Sequence, residues 1–182
     1  MFKIKESSMK KTFRISLILF FLSAFSVAAE SYPPQGWSSD ILEALAESED
    51  TGKDVLLNFT GSDWCSWCLK LRDEVFETPK FKKYAEENLV LVFLDFPNGI
   101  ELSDDVKKQN ELMAQVFGVQ GFPTLWLMDS EQVPIMKTGY QSGGVEAYIR
   151  HLEEDRPALD DATKKEYQDL IRKAVKDNLG TW

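Results

Sequence analysis

The chain is poor in the residues that carry metal and scaffold chemistry: its 182 residues hold two cysteines and one histidine. Two cysteines exclude a small secreted scaffold, which relies on several bridges. A bridge between Cys65 and Cys68 would close a short loop and remove little unfolded-chain entropy. Structural zinc takes a full set of Cys and His ligands, and the lone histidine, His151, lies far along the chain. Bases are also in deficit, 21 Lys and Arg against 30 Asp and Glu for a formal charge of −9. That balance argues against nucleic acid and anionic membrane as partners. No apolar run reaches the roughly 20 residues of a membrane span. Internal repeats and low-complexity tracts are absent too.

What is present begins with a leader-like segment. Residues 1–14 carry Lys3, Lys5, Lys10, Lys11 and Arg14 against Glu6, and the apolar run ISLILFFLSAFSVAA follows, ending in small residues. This is the order of a secretory signal peptide, with Met9 as a second candidate start and an uncleaved anchor as the alternative. No cysteine lies near the cut, which argues against a lipid-anchored lipoprotein. Those five bases and one acid leave residues 30–182 at a formal −13, in a length sufficient for one domain with its own core. Export would expose a dithiol to oxidants.

Behind a Pro33-Pro34 arm, the periodicities predict a helix over 38–52, with Ile41, Leu42, Leu45 and Ala46 on its apolar face and Gly52 at its end. VLLNF (55–59) reads as a buried strand and LVLVFLDF (89–96) as another. Helical patterns follow the cysteines, bend near Pro79, and recur over 81–89 and 103–117. TLWLM (124–128) and VPIMKTG (133–139) read as strands, and 145–154 and 161–179 as helices. Strands that alternate with helices early and pair as a hairpin late describe a mixed α/β sheet with helices on both faces.

The cysteines sit where a strand ends and a helix begins, in GSDWCSWCLKLRDEVF. A helix N-terminus offers free N–H groups and partial positive charge, which favour a thiolate. The spacing puts both sulfurs within one turn, with Cys65 expected exposed and Cys68 shielded. Lys70 and Arg72 add positive charge nearby, and Asp63 opposes them. GVQGFPT (118–124) sets Pro123 directly ahead of a strand, an awkward place for a residue without an N–H. Trp64 and Trp67 flank the cysteines as rim, lid or docking aromatics. His151 is expected at a surface or helix end, with no chemistry.

WCSWC followed by FPT, in the order VLLNF, LVLVFLDF, GFPTLWLM and the KTGYQSGGVEAYIRHL tail, resembles the thioredoxin family over about residues 54–153. The longer opening FTGSDWCSWCLKLRDEVF is similar to exported bacterial members. The resemblance implies a thioredoxin-like α/β fold, a mixed central sheet flanked by helices, with an extra C-terminal helix. The corresponding division is leader (1–29), arm and helix (30–54), thioredoxin-like domain (55–155) and C-terminal helical extension (156–182). It also implies thiol–disulfide exchange, with Cys65 attacking and Cys68 resolving. Pro123 would be a cis-proline facing them, and Trp64, Trp67, Phe122 and Pro123 would form the substrate-binding set.

No cofactor or metal is expected. The implied partners are proteins with disulfides or thiols and, for a reductase outside the cytosol, a membrane electron-donor protein; a monomer is expected. Ser66-Trp67 between the cysteines is neither the Gly-Pro of reducing thioredoxins nor the Pro-His of strong oxidants. The bulky apolar Phe122 and the lack of a proline between the cysteines lean towards reductase. The family's buried acid falls on the neutral Asn58, and that acid's basic partner near Leu91. The alternative is a non-catalytic peptide-binding module whose disulfide is structural.

Overall fold

The computed structural model describes residues 32–156 and 160–180, and the expected leader lies outside the described residues. β1 (Asp54–Thr60) and β2 (Leu89–Asp95) are buried almost throughout, as apolar strands covered on both faces must be. They pair in parallel, with Asn58 opposite Phe93 and Thr60 opposite Asp95. β3 (Thr124–Met128) runs antiparallel to β1, and β4 (Pro134–Thr138) antiparallel to β3. The sheet order is β2-β1-β3-β4. Ser38 lies along the free edge of β2, donating its N–H to Leu91 O and accepting from Phe93 N, both at 2.8 Å. That contact covers an edge otherwise open to further pairing.

Alternation along the strands divides the apolar residues into two cores. Leu57, Phe59, Val90, Val92 and Leu94 pack with α1 (Ile41–Thr51), α4 (Asp104–Val116) and α6 (Asp161–Leu179). Leu56, Leu91, Leu125 and Leu127 pack on the opposite face with α2 (Ser66–Leu71), α3 (Pro79–Asn88) and α5 (Gly144–Glu154). Between α2 and α3 the chain makes a π-helical turn, Arg72–Phe76, with Glu77 N–H bonded to Arg72 O at 2.9 Å. Pro79 opens α3 behind a Thr78 cap, where its missing N–H costs nothing. His151 joins α5 to β4, its Nε2 lying 2.7 Å from Thr138 Oγ1.

Two helices bury more than the apolar positions that periodicity indicates, on a face that still includes Ile41 and Leu45 in α1 and Met113 in α4. In α1, Ala46 is exposed, and Ala44 and Ser48 are buried instead. In α4, Val106 is only partly buried, whereas Gln109 and Asn110 are buried beside Met113. The reason is hydrogen bonding: buried backbone groups need partners. Gln109 accepts the Ile41 N–H at 2.9 Å and donates to Ser39 O at 2.8 Å, and Asn110 donates to Asp95 O at 2.9 Å.

α6 inserts Ile171 and Val175 into the first core, while Leu170 stays 49% exposed. Ile171→Ala is therefore expected to destabilise by about 2–4 kcal/mol, and Leu170→Ala by less than about 0.5 kcal/mol. Urea denaturation midpoints check the pair; equal losses would mean that α6 does not contribute to the core.

Candidate active site

β1 ends at Thr60 and α2 starts at Ser66, so residues 61–65 must turn the chain from strand to helix. Cys65 is the N-cap of α2: its backbone is extended, and its Sγ accepts the Cys68 N–H at 3.2 Å. Cys65 and Cys68 are joined as a disulfide. The expected contrast between an exposed and a shielded cysteine is corrected here, because Cys65 and Cys68 are 7% and 6% exposed. The bond and the Cys68 N–H hold Cys65 Sγ against the first helical turn instead of letting it project. Its distinction is its place at a cap, where a backbone donor faces the sulfur.

The loop before it is tied down at three points. Asp95, at the end of β2 and 1% exposed, accepts the Ser62 N–H at 2.9 Å and the Ser62 hydroxyl. Tyr32 from the N-terminal arm donates to the same carboxylate at 3.3 Å. Asp63 accepts the N–H groups of Asn98 and Gly99. Those backbone bonds, Asn98 first, hold its carboxyl below the usual range. Trp64 donates its indole N–H to Phe96 O at 2.8 Å. The Trp64 ring lies over Gly61, where a Cβ would come within 2.5 Å of it, so only glycine fits under that indole.

The positive charge that Lys70 and Arg72 bring near the cysteines is compensated locally. Lys70 lies 3.8 Å from Glu74, Arg72 pairs with Asp73, and Asp63 is spent on loop amides. Asn58 is 4% exposed on the sheet face that α2 covers, and its Oδ1 has no partner. Its cross-strand neighbour is Phe93, with Leu91 one step along the same face. Both positions are neutral, as isolated charges there would be costly.

The aromatic residues form two groups. Trp64 meets Phe122 edge-on at 5.9 Å, and Phe122 packs on Phe96 at 5.1 Å. These contacts bring the Phe122–Pro123 loop, whose peptide bond is cis, to the cysteine loop. Gly139 adjoins it, where an added Cβ would lie 3.1 Å from Pro123 O. Trp67 does not join this group; it packs on Tyr140 at 5.1 Å. Asp95, Ser62, Phe96 and Tyr140 were not marked by the motifs. Only Asp95 left a signal, as an acid closing an unbroken apolar run. Among the described residues, no cluster of three His, Cys, Asp or Glu side chains could hold a metal ion.

Burial pushes the Asp95 carboxyl above its ordinary range, against the pull of the Ser62 hydroxyl and amide. The folded protein therefore retains this proton to a higher pH than the unfolded chain. Asp95's contribution to stability is fully present below the unfolded value near ~3.9. It declines as pH rises to the raised folded value and then levels off. Asp95→Asn should remove this decline, measured as urea midpoints compared with the parent from pH 4 upward. Parallel profiles for the two proteins would refute the assignment.

A family model described as a thioredoxin-like domain matches residues 41–153. The disulfide bond reductase DsbH of Chlamydia pneumoniae is 35% identical over 113 residues, covering 62% of this chain and 68% of that protein. The thioredoxin-related protein DsbJ of the same organism is 30% identical over 139 residues, 75% of this chain but 40% of DsbJ. The solved structure of a DsbH oxidoreductase superposes with a TM-score of 0.61 at 33% identity, covering 64% of this chain and 81% of its own.

Proposed function

The chain belongs to the thioredoxin-like family, and from that membership we infer that it is a thiol–disulfide oxidoreductase working through Cys65 and Cys68. The observation that carries this reading is the Cys65–Cys68 disulfide with Cys65 at the cap of α2. On reduction, the Cys68 N–H that faces Cys65 Sγ at 3.2 Å favours the thiolate over the thiol at that position.

The reaction runs by two exchanges. Cys65 thiolate attacks one sulfur of a client disulfide; the client bond breaks, and its other sulfur leaves as a thiolate that takes up a proton. Cys68 then loses its proton and attacks Cys65 Sγ. The mixed disulfide breaks, the second client sulfur leaves as a thiolate, and Cys65–Cys68 forms. Two electrons pass from the dithiol to the client. Asn58 carries no carboxylate to accept the Cys68 proton, so the proton passes to water or to the departing client thiolate.

We assign the reductive direction. Its supports are the identity with a protein named a disulfide bond reductase, the apolar Phe122 before Pro123 and the lack of a proline between the cysteines. The leader-like residues 1–29 favour an exported protein acting in the bacterial cell envelope, recharged by a membrane electron-donor protein. Trp64, Phe122 and Pro123 line the place for an extended client chain. Known relatives span about 150 mV, and about 30 mV is a tenfold change in equilibrium constant, so direction is a quantity to measure.

Cys68→Ser is expected to accumulate mixed disulfides with client proteins, visible as thiol-sensitive bands on a non-reducing gel, and Cys65→Ser is not. Equal trapping by both would remove the assigned roles, and trapping by neither would leave a non-catalytic binding module. Equilibration of Cys65–Cys68 with glutathione should give a potential towards the thioredoxin end, about −270 mV. A value near about −120 mV would reverse the direction.

A further inference from the structure

The end of the sheet away from the cysteines carries a cavity that thiol exchange does not use. Antiparallel pairing sets Thr124 beside Phe59, near the redox loop, and Met128 beside Val55 at the far end. The turn that follows, Asp129 to Gln132, therefore lies at that far end. With α1 and α6 it borders a recess of about 470 Å³ lined by Glu49, Ser130, Glu131, Gln132, Gln168 and Arg172. Small-molecule sites span about 300–1,000 Å³. Gln168 ties α6 to the turn, its Nε2–H donating to Glu131 O at 2.7 Å. The thioredoxin-like match ends at residue 153, so Gln168 and Arg172 come from beyond it.

Gln132 is the residue that the fold does not account for. Its φ is +67°, a conformation that glycine takes at little cost and that a hairpin turn of this kind ordinarily gives to glycine. Its side chain is nonetheless kept and buried: the residue is 6% exposed, and its Oε1 has no hydrogen-bond partner. Buried acceptors are nearly always bonded, so this one calls for an N–H or O–H from outside the chain. Charges of both signs surround it. Among the described residues, neither Arg172 nor Glu49 nor Glu131 has an ion-pair partner, although all three line the same recess. We propose that this recess binds a short peptide whose two ends are both free. Its carboxylate meets the Arg172 guanidinium, whose fork of donors matches that group. Its ammonium meets Glu49 and Glu131, and a peptide N–H donates to Gln132 Oε1. A simple anion would be repelled by the two carboxylates, and a simple cation would leave Arg172 unanswered; a zwitterion serves both. The lining is mostly polar, so small side chains suit it better than large apolar ones.

The test titrates three peptides into isotope-labelled protein and follows the side-chain amide signals of Gln132 and Gln168 by NMR. The peptides are alanyl-alanine, its N-acetyl form without the ammonium, and its C-terminal amide without the carboxylate. Alanyl-alanine should shift both signals saturably, and blocking either end should weaken binding about tenfold, the size of one lost charge-assisted hydrogen bond. Arg172→Gln should make alanyl-alanine and its amide bind alike while the acetylated form stays weaker. The double variant Glu49→Gln, Glu131→Gln should do the reverse. Gln132→Met keeps the length of the side chain without its acceptor, and should weaken all three peptides in proportion. Absence of a saturable shift with alanyl-alanine would overturn the proposal. Equal binding of the three peptides to the parent would overturn it as well, since neither charged end would then be recognised. A preference that survives in both charge variants would also overturn it, because the peptide would then sit elsewhere. Thiol exchange at Cys65 and Cys68 is measured separately and stands or falls apart from these results.

Discussion

Between the last residue of β1 and the first cysteine the chain has only the loop 61–64 in which to change from strand to helix. The carboxylate of Asp95 holds that loop in place. It is buried at the end of β2, directly across the parallel ladder from Thr60, and takes both hydrogen-bond donors of Ser62. Burying a carboxylate is costly unless its oxygens are satisfied, so the Ser62 and Tyr32 bonds are required at this position. Asn110 bonds the backbone oxygen of the same residue, and so links α4 to the strand end. With Ser62 fixed, Asp63 and Trp64 reach their partners on the loop that follows β2, and Cys65 falls at the start of α2.

The redox pair thus works against a background of compensated charge. Lys70, Arg72 and Asp63 each have a local partner, and Asn58 beneath the sheet face is neutral. The group facing Cys65 Sγ is a backbone N–H, which does not titrate. The surroundings of Cys65 Sγ are therefore set by helix geometry more than by side-chain ionisation. The Asn58 Oδ1 without a partner is the exception. An unpaired buried acceptor costs about 1–3 kcal/mol, and it lies on the face that α2 covers.

Much of this architecture is legible in the chain. The apolar runs around Leu57 and Val92 read as strands buried on both faces, and Gly52 and Pro79 punctuate helices as their backbone chemistry requires. The cysteine motif with FPT downstream brought Cys65, Cys68, Trp64, Phe122 and Pro123 forward together. In α4, periodicity passed over Gln109 and Asn110, polar residues drawn inside by backbone partners from distant segments. No local pattern marks Gln109 or Asn110 as buried, because Ser39, Ile41 and Asp95 lie far from them in sequence.

By itself, then, the sequence determined the order of elements, the pairing-distance spacing of the two cysteines, and the acidic balance of the chain. Each follows from local spacing or composition. Tertiary structure alone decided that Cys65 is no more exposed than Cys68, that the neighbouring charges cancel, and that Trp67 turns to Tyr140 instead of to Trp64. These depend on which side chains the sheet and its crossovers bring within a few ångströms. Tyr140 follows β4 and Glu74 sits in a π-helical turn, and only the packing of α2 beside the end of β4 makes them neighbours.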